Sequence, residues 1–482
     1  MSAEPDSPQP DSSPPEPIER RERYELRHVR PDPLDLPRVA PEIEPIGGRI
    51  RVEIEDFEVE EVPLYAPCGE GPHVYVKVRK RNRTTLQIRE FLAKRLGVHT
   101  EEIGFAGFKD KRAVTTQTFS IHGVTEPDLD RIESRDWIEV LAVSRHKNKL
   151  RTGHLKGNRF RIRVRGAREG SADDAKRIVE RIRERGLPNH YHGQRFGRNL
   201  LGARIGSALL HRDVDAVVSL LLGTAAGLRE EFRERFEAGK IAEALAALPP
   251  GRAAEAGLLY SLKRYPGNHR AAVRRIPRQL RRMYFSAYQA WLFNWALRER
   301  AEWGGECYTL YEGDLAQKRD SGGLFVVEDV EAENERARNR EIVPTGPMFG
   351  RKMRFPQGRP GAMEWAILHA EGLRPQSFLS HVKGLRLDGT RRQACIWLDE
   401  LVCEEEAPGV LRFEFLLPSG SYATTLLEQV MGPGQVDALV DSSLIGDEDA
   451  DSEDGEETED PTEPTPGSRR RPASGPPRGR RR

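Results

Sequence analysis

Between residues 159 and 165 the chain alternates without a break, with Arg159, Arg161, Arg163 and Arg165 on one parity and Phe160, Ile162 and Val164 on the other. A period of two belongs to a β-strand, whose successive side chains leave opposite faces of a sheet. One face of this strand is apolar and wants a core, while the other is cationic and cannot enter one without partners. The chain must therefore build a sheet with unlike faces. A helix follows directly: Ser171 stands at its start, Asp173 and Asp174 lie in the first turn, Ala175, Ile178, Val179 and Ile182 form its buried stripe, and Gly186 stops it. Upstream, Val74, Val76 and Val78 alternate with Tyr75 and Lys77 as a second strand. Thr84 or Thr85 then caps a helix carrying Ile88, Phe91, Leu92 and Leu96, with Gly97 placed to end it.

From about 188 to 385 the pattern changes to helical segments, such as 202–222, 241–248 and 284–299, with few alternating runs. Strand character returns in Ala394–Leu398 and Leu411–Leu417. Strand-rich ends around a helical middle predict an α+β domain interrupted by an inserted domain. The expected division is a core first part over 46–187, an insertion over 188–385 and a core second part over 386–440. Residues 1–45 and 441–482 are rich in Pro, Ser and charge and lack an apolar period, so both are expected to be disordered tails.

The formal net charge of the 482 residues is only +1. The first 45 residues hold six Lys and Arg against eleven Asp and Glu, and residues 441–482 hold seven against twelve, which leaves +11 on residues 46–440. That balance is expected of a chain that meets a polyanion. No run of eighteen apolar residues is present and the start has no apolar core, so neither a membrane span nor a signal peptide is expected, and the cytoplasm is the expected location. Four scattered cysteines without a CxxC pair speak against a disulfide framework or structural zinc.

The densest chemistry is Gly104-Phe-Ala-Gly-Phe-Lys-Asp-Lys-Arg-Ala-Val-Thr-Thr-Gln117. Asp110 stands there among Lys109, Lys111 and Arg112, cations that favour the ionised carboxylate a nucleophile or base requires. From the residues alone, a cap on the following segment, among ordinary surface lysines, is the commoner role for such an aspartate. A second cluster, Arg145 to Phe160, interleaves cations with Gly and Asn in the way phosphate contacts need, and ends on Phe160, which is either a base-stacking ring or core. A third, Arg51 to Glu61, alternates acidic and apolar residues and reads as an amphipathic strand with a solvated acidic face. His190 and His192 form an HxH pair without a carboxylate or cysteine at ligand spacing, so no metal is expected.

Together these segments resemble the TruD family of tRNA pseudouridine synthases. The resemblance runs in order through DFEVEE (56–61), GEGPHVYVKVRK (69–80), GFAGFKDKRAVTTQ (104–117), GHLKGNRF (153–160), PN…QRFG (188–197), SAYQAWLFN (286–294), TGPMFG (345–350) and LPSGSYATTLL (417–427). It implies a pseudouridine-synthase catalytic core, a mixed and largely antiparallel sheet flanked by helices, interrupted by a TRUD-type α/β insertion domain. It implies Asp110 as catalytic nucleophile or base, with Lys109 before it as in the family. It further implies Asn158 and Phe160 as an active-site Asn-x-Phe, Tyr422 as the aromatic opposite, and Arg51 and Glu55 as site residues. Arg51 stands where a lysine can occur. The implied activity is an isomerase that converts uridine, at the thirteenth position of tRNA, to pseudouridine. The expected partner is tRNA, bound by a monomer without cofactor, metal or membrane. The alternative is an RNA-binding or tRNA-folding protein without catalysis.

Overall fold

The computed structural model describes residues 34–132, 134–378 and 387–433. Six strands precede the second long helix: β1 (Phe57–Pro63), β2 (His73–Arg81), β3 (Ile103–Phe105), β4 (Val114–His122), β5 (Ile138–His146) and β6 (Leu155–Arg165). Between β2 and β3 runs α1 (Thr85–Leu96), and after β6 comes α2 (Ala172–Arg185). Thr84 and Gln87 form a reciprocal cap at the start of α1, and Gly97 ends it in the left-handed conformation. Ser171 occupies the cap position of α2 without a side-chain capping bond.

A two-residue strand, β7 (Leu187–Pro188), opens the middle of the chain. There follow α3 (Leu201–Leu210), α4 (Val214–Leu222), α5 (Glu231–Glu237), α6 (Ile241–Ala246), α7 (Ala253–Arg264), α8 (His269–Val273) and α9 (Arg278–Ala301). Then come β8 (Leu315–Lys318), β9 (Leu324–Val326), α10 (Val330–Arg338), β10 (Ile342–Met348), α11 (Gly358–Ala370) and β11 (Thr390–Gln393). The last elements are β12 (Cys395–Ile396), β13 (Val402–Ala407), β14 (Val410–Pro418) and α12 (Ala423–Met431).

The strands form one eight-stranded sheet in the order β13-β14-β6-β1-β4-β2-β5, with β3 on β4, and a four-stranded sheet in the order β11-β10-β8-β9. In the large sheet β1 and β4 run parallel while the other pairs are antiparallel. The short β7–β12 ladder pairs Leu187 with Ile396 and Pro188 with Cys395, so the chain between these points leaves and returns side by side. The small sheet takes in β11, which lies beyond the joint expected at 385; that joint itself falls outside the described residues. The single helix expected over 202–222 is two, α3 and α4, separated at Arg212 in the left-handed conformation, with the Asp213 side chain capping α4.

One face of the large sheet is apolar and covered. Phe57, Val59, Phe160, Ile162, Phe413 and Phe415 pack under α2 and α12, and Val74, Val76, Val78, Phe119 and Ile121 pack under α1. The same cover corrects the expected N-terminal tail. Residues 1–33 lie outside the described residues, but Ala40 and Ile43 are buried in the first of these clusters, and the Val39 N–H donates to Gln429 Oε1 on α12. Apolar residues spaced between prolines carry no helical or strand period, which is why this segment reads as tail.

The opposite face carries the arginine row of β6, and it is not left open to a polyanion. Every member is paired: Arg159 with Glu400 at 2.7 Å, Arg161 with Glu414 at 2.7 Å, Arg163 with Glu406 at 2.7 Å and Arg165 with Asp56 at 2.7 Å. The layer continues across β1 and β2 through Lys77–Glu60, Arg79–Glu139 and Arg81–Glu55. It is a neutralised charge lattice. Burial raises the Asp56 carboxyl, but the hydrogen bonds from Arg165 and from the Glu53 N–H outweigh it, and the group titrates below its ordinary range.

Two outcomes follow. Ile43→Ala should lower unfolding free energy by about 2–5 kcal/mol in urea titration, as for other emptied core sites; a disordered segment would give no change. Asp56 is depressed on folding, so its contribution is complete above about pH 4 and disappears as pH falls through the folded value. The urea midpoints of wild type and Asp56→Asn should therefore differ at pH 7 and converge toward pH 2.

Candidate active site

Strand register fixes which side chains share the covered face. On β1 and β6, Phe57 lies opposite Ile162, Val59 opposite Phe160 and Glu61 opposite Asn158. On β14, Phe415 lies opposite Phe160 and Leu417 opposite Asn158. Directly opposed residues project to the same side of a sheet, so Glu61 and Asn158 stand on the apolar face beside Phe57 and Phe160. Gly157 makes the strand contact possible, because a Cβ there would lie 2.1 Å from the Leu417 carbonyl oxygen.

Across this face, between the two apolar clusters, runs a seam of buried polar residues: Glu61, Lys80, Thr85, Lys109, Thr115 and Gln117. The β3–β4 loop, which carries Lys109 and Asp110, is clamped into it. The Lys109 N–H donates to Thr85 Oγ1 at 3.0 Å, Thr85 Oγ1 donates to Gln117 Oε1 at 3.1 Å, and Gln117 Nε2 donates to the Gly107 carbonyl at 2.5 Å. From the other side, Lys80 Nζ donates to the backbone oxygens of Arg83, at 2.6 Å, and Asp110, at 3.1 Å. The Lys109 ammonium points inward to Glu61, 2.9 Å away, with both side chains about 97 % buried.

Asp110 points the other way. It caps no helix, since the segment after it runs into β4. Its carboxylate accepts from Arg51 Nη2 at 2.7 Å and remains 35 % exposed, against 8 % for the arginine side chain. Arg51 holds a left-handed backbone, φ 56°, and lays its guanidinium over the Phe57 ring at 4.0 Å. A non-glycine residue there costs of order 1–3 kcal/mol and persists only where surroundings enforce it. Phe57 meets Phe160 edge-on at 6.1 Å, and Phe160 stacks on Phe415 at 5.3 Å. The result is an open carboxylate held by one buried cation over an aromatic floor, with Asn158 Oδ1 buried on the same face without a hydrogen-bond partner among the described residues.

Five of the seven expected site residues are thus gathered: Asp110, Arg51, Lys109, Asn158 and Phe160. Phe160 is only 7 % exposed, a core ring bordering the site. Glu55 turns to the charged face, where it pairs with Arg81 at 2.6 Å. Tyr422 stands just before α12, beyond the end of β14, with its ring 5.6 Å from Tyr191, itself capped by the Arg392 guanidinium at 4.2 Å. Of the HxH pair, His190 faces Glu428 at 3.7 Å, and both histidines are buried. Residues not anticipated are Phe57, Glu61, Lys80, Thr85 and Gln117. Parity could have found Glu61: in 57–61 it is in phase with Phe57 and Val59, whereas Glu58 and Glu60 are not.

The site is thus a carboxylate on a clamped loop at the covered face of a mixed sheet, beside aromatic rings. The family model for tRNA pseudouridine synthase D (TruD) matches residues 36–430. The chain is 40 % identical over 395 residues to the tRNA pseudouridine synthase D of Geobacter metallireducens, covering 81 % of this chain and 96 % of that protein. It is 37 % identical over 408 residues to the protein of the same name from Thermus thermophilus, covering 84 % and 95 %. A crystal structure described as tRNA pseudouridine synthase D from Methanosarcina mazei superposes with a TM-score of 0.70 at 28 % identity, over 84 % of this chain and 98 % of that one. The chain belongs to the TruD family of pseudouridine synthases.

The Lys109–Glu61 pair gives a direct test of the clamp. Lys109→Met alone strands a buried carboxylate and should cost about 3–5 kcal/mol in urea denaturation. The double variant Lys109→Met/Glu61→Leu should recover most of that loss.

Proposed function

We propose that this chain isomerises uridine to pseudouridine in tRNA, at the thirteenth position, with Asp110 as the nucleophile or base. The observation that carries the assignment of Asp110 is its carboxylate, about one-third open to solvent and held at 2.7 Å by the buried Arg51. The reaction breaks the N-glycosidic bond, turns the freed uracil and joins its C5 to C1′ of the same ribose, with a proton lost from C5 and one gained at N1. Atoms and charge balance within the substrate and solvent.

Each demand of that reaction has a candidate residue. The target base must leave its stack to reach the seam. Arg51, fixed from beneath by Phe57, orients the Asp110 carboxylate toward the sugar and stabilises its charge. Asn158 Oδ1, buried without a partner among the described residues, supports an acceptor for a uracil N–H. Phe160 and Phe57 supply an apolar wall against which the detached ring is retained. Lys109, being paired with Glu61, acts on the loop rather than on the substrate. Tyr422 is assigned to the opposite wall and Glu55 to the outer rim. The cytoplasm, where tRNA is processed, is the expected setting.

The test uses unmodified tRNA transcripts and carbodiimide-based primer extension. Wild type should give one strong stop, at the uridine in the thirteenth position. Asp110→Asn should reduce conversion by about a thousandfold or more, with tRNA affinity within a few-fold of wild type. Product that persists in Asp110→Asn overturns the catalytic assignment, a stop elsewhere overturns the position, and tRNA binding without product by wild type favours the non-catalytic alternative.

A further inference from the structure

From residue 256 to residue 298 the chain carries nine lysines and arginines and no aspartate or glutamate. The run spans most of α7, α8 and most of α9. Five of these cations differ from those of β6: Lys263, Arg264, Arg270, Arg274 and Arg275 are all exposed and make no ion pair among the described residues, within a stretch of thirteen residues at the ends of two adjoining helices. Glu243, which lines the same cleft as Lys263 and His269, is already engaged by Arg235 and Lys240, and Asp215 by His269 at 2.7 Å. Tyr260, one turn before this stretch, is 63 % exposed, and Tyr265 within it is 46 % exposed, with the Arg264 guanidinium 5.4 Å from its ring. Lys263 and His269 also line an open cleft of about 660 Å³, within the range of small-ligand sites.

We infer that this face of α7 and α8 is a docking surface for the sugar-phosphate backbone of RNA, separate from the Asp110 site. The inference rests on the reading of the chain as an RNA-modifying enzyme and names where the substrate is held away from the reacting base. Unpaired exposed cations release counterions when they meet phosphates, whereas cations already neutralised by carboxylates gain little. Exposed aromatic rings among them offer platforms for unpaired bases. A membrane is the other common partner of a basic helix, but it requires an apolar face turned to solvent. Here Ala254, Leu258, Leu259 and Leu262 of α7 are buried in a helical cluster that contains no residue of the eight-stranded sheet. The helices that carry this surface therefore pack in a cluster of their own rather than against the sheet face beside Asp110, and a folded RNA that reaches both gains from holding two points at once.

The test compares full-length wild type with the triple variant Arg270→Gln/Arg274→Gln/Arg275→Gln, whose thermal midpoint should match wild type because all three are exposed. In filter binding with tRNA across 50–300 mM KCl, the variant should bind about tenfold more weakly at 100 mM. The slope of log affinity against log salt should fall by about two to three. Conversion at saturating tRNA should be unchanged. Should the triple variant misfold, Lys263→Gln/Arg264→Gln is read the same way, with a slope loss of about one to two. Affinity and slope equal to wild type overturn the docking surface. So does unchanged tRNA affinity accompanied by lost binding to phosphatidylglycerol vesicles, which assigns the face to lipid. Binding is read without reference to product, so a wild type that binds tRNA but makes no pseudouridine overturns the catalytic reading alone, and the slope comparison still decides the docking surface.

Discussion

The register of β6 between β1 and β14 is the constraint on which the rest depends. Its parity assigns Asn158 and Phe160 to the covered face and four arginines to the other, and both neighbours are committed to that assignment by the acids and aromatics they present. A slip of one residue would reverse every side chain. It would bury the guanidinium groups under α2 and α12 and carry the Asn-x-Phe pair into the charge lattice. The lattice of carboxylates and arginines contributes little net stability pair by pair, since most of its members are partly solvated. Its physical effect is on uniqueness: it makes the wrong register far worse than the right one.

Within the covered face the polar seam separates two roles that sequence proximity confuses. Lys109 and Asp110 are neighbours, yet one side chain is sealed in a buried pair and the other opens to solvent beside Arg51. A buried ion pair seldom pays for its own desolvation. What it supplies is a fixed loop, because neither charge can leave the other without stranding it. The left-handed Arg51 and the hydrogen bonds through Thr85, Gln117 and Lys80 add to the same fixation, so that the one solvent-reaching carboxylate is presented without freedom to wander.

What the sequence made legible follows from how locally each feature is encoded. The β6 alternation, the α1 and α2 stripes and the Thr84 cap are written in neighbouring residues and appear where expected. The gathering of Asp110, Arg51 and Asn158 became legible through the ordered motifs. The partners of the β6 arginines were not, because Glu406 and Glu414, on β13 and β14, and Glu400, in the turn before β13, lie more than two hundred residues away. Strand β10 was hidden for a different reason: Ile342–Met348 is buried throughout and interrupted by Pro344 and Pro347, residues that normally argue against an interior strand. Glu55 stands before Asp56-Phe57 as the motif has it, whereas parity within the strand, which decides the face, places Glu61 on the covered side.

The β7–β12 ladder bears on how the molecule comes together. Strand β6 must pair with β14, and Arg165 and Val410 are 245 residues apart in the chain. Closing so long a loop is slow, since its entropy is lost before any contact is gained. If the intervening segment folds first, its ends are brought to adjacent positions at Pro188 and Cys395. The remaining excursion is then on the order of forty residues, a short search by comparison. The catalytic sheet would thus be completed last, by a strand delivered to it by the domain that interrupts it.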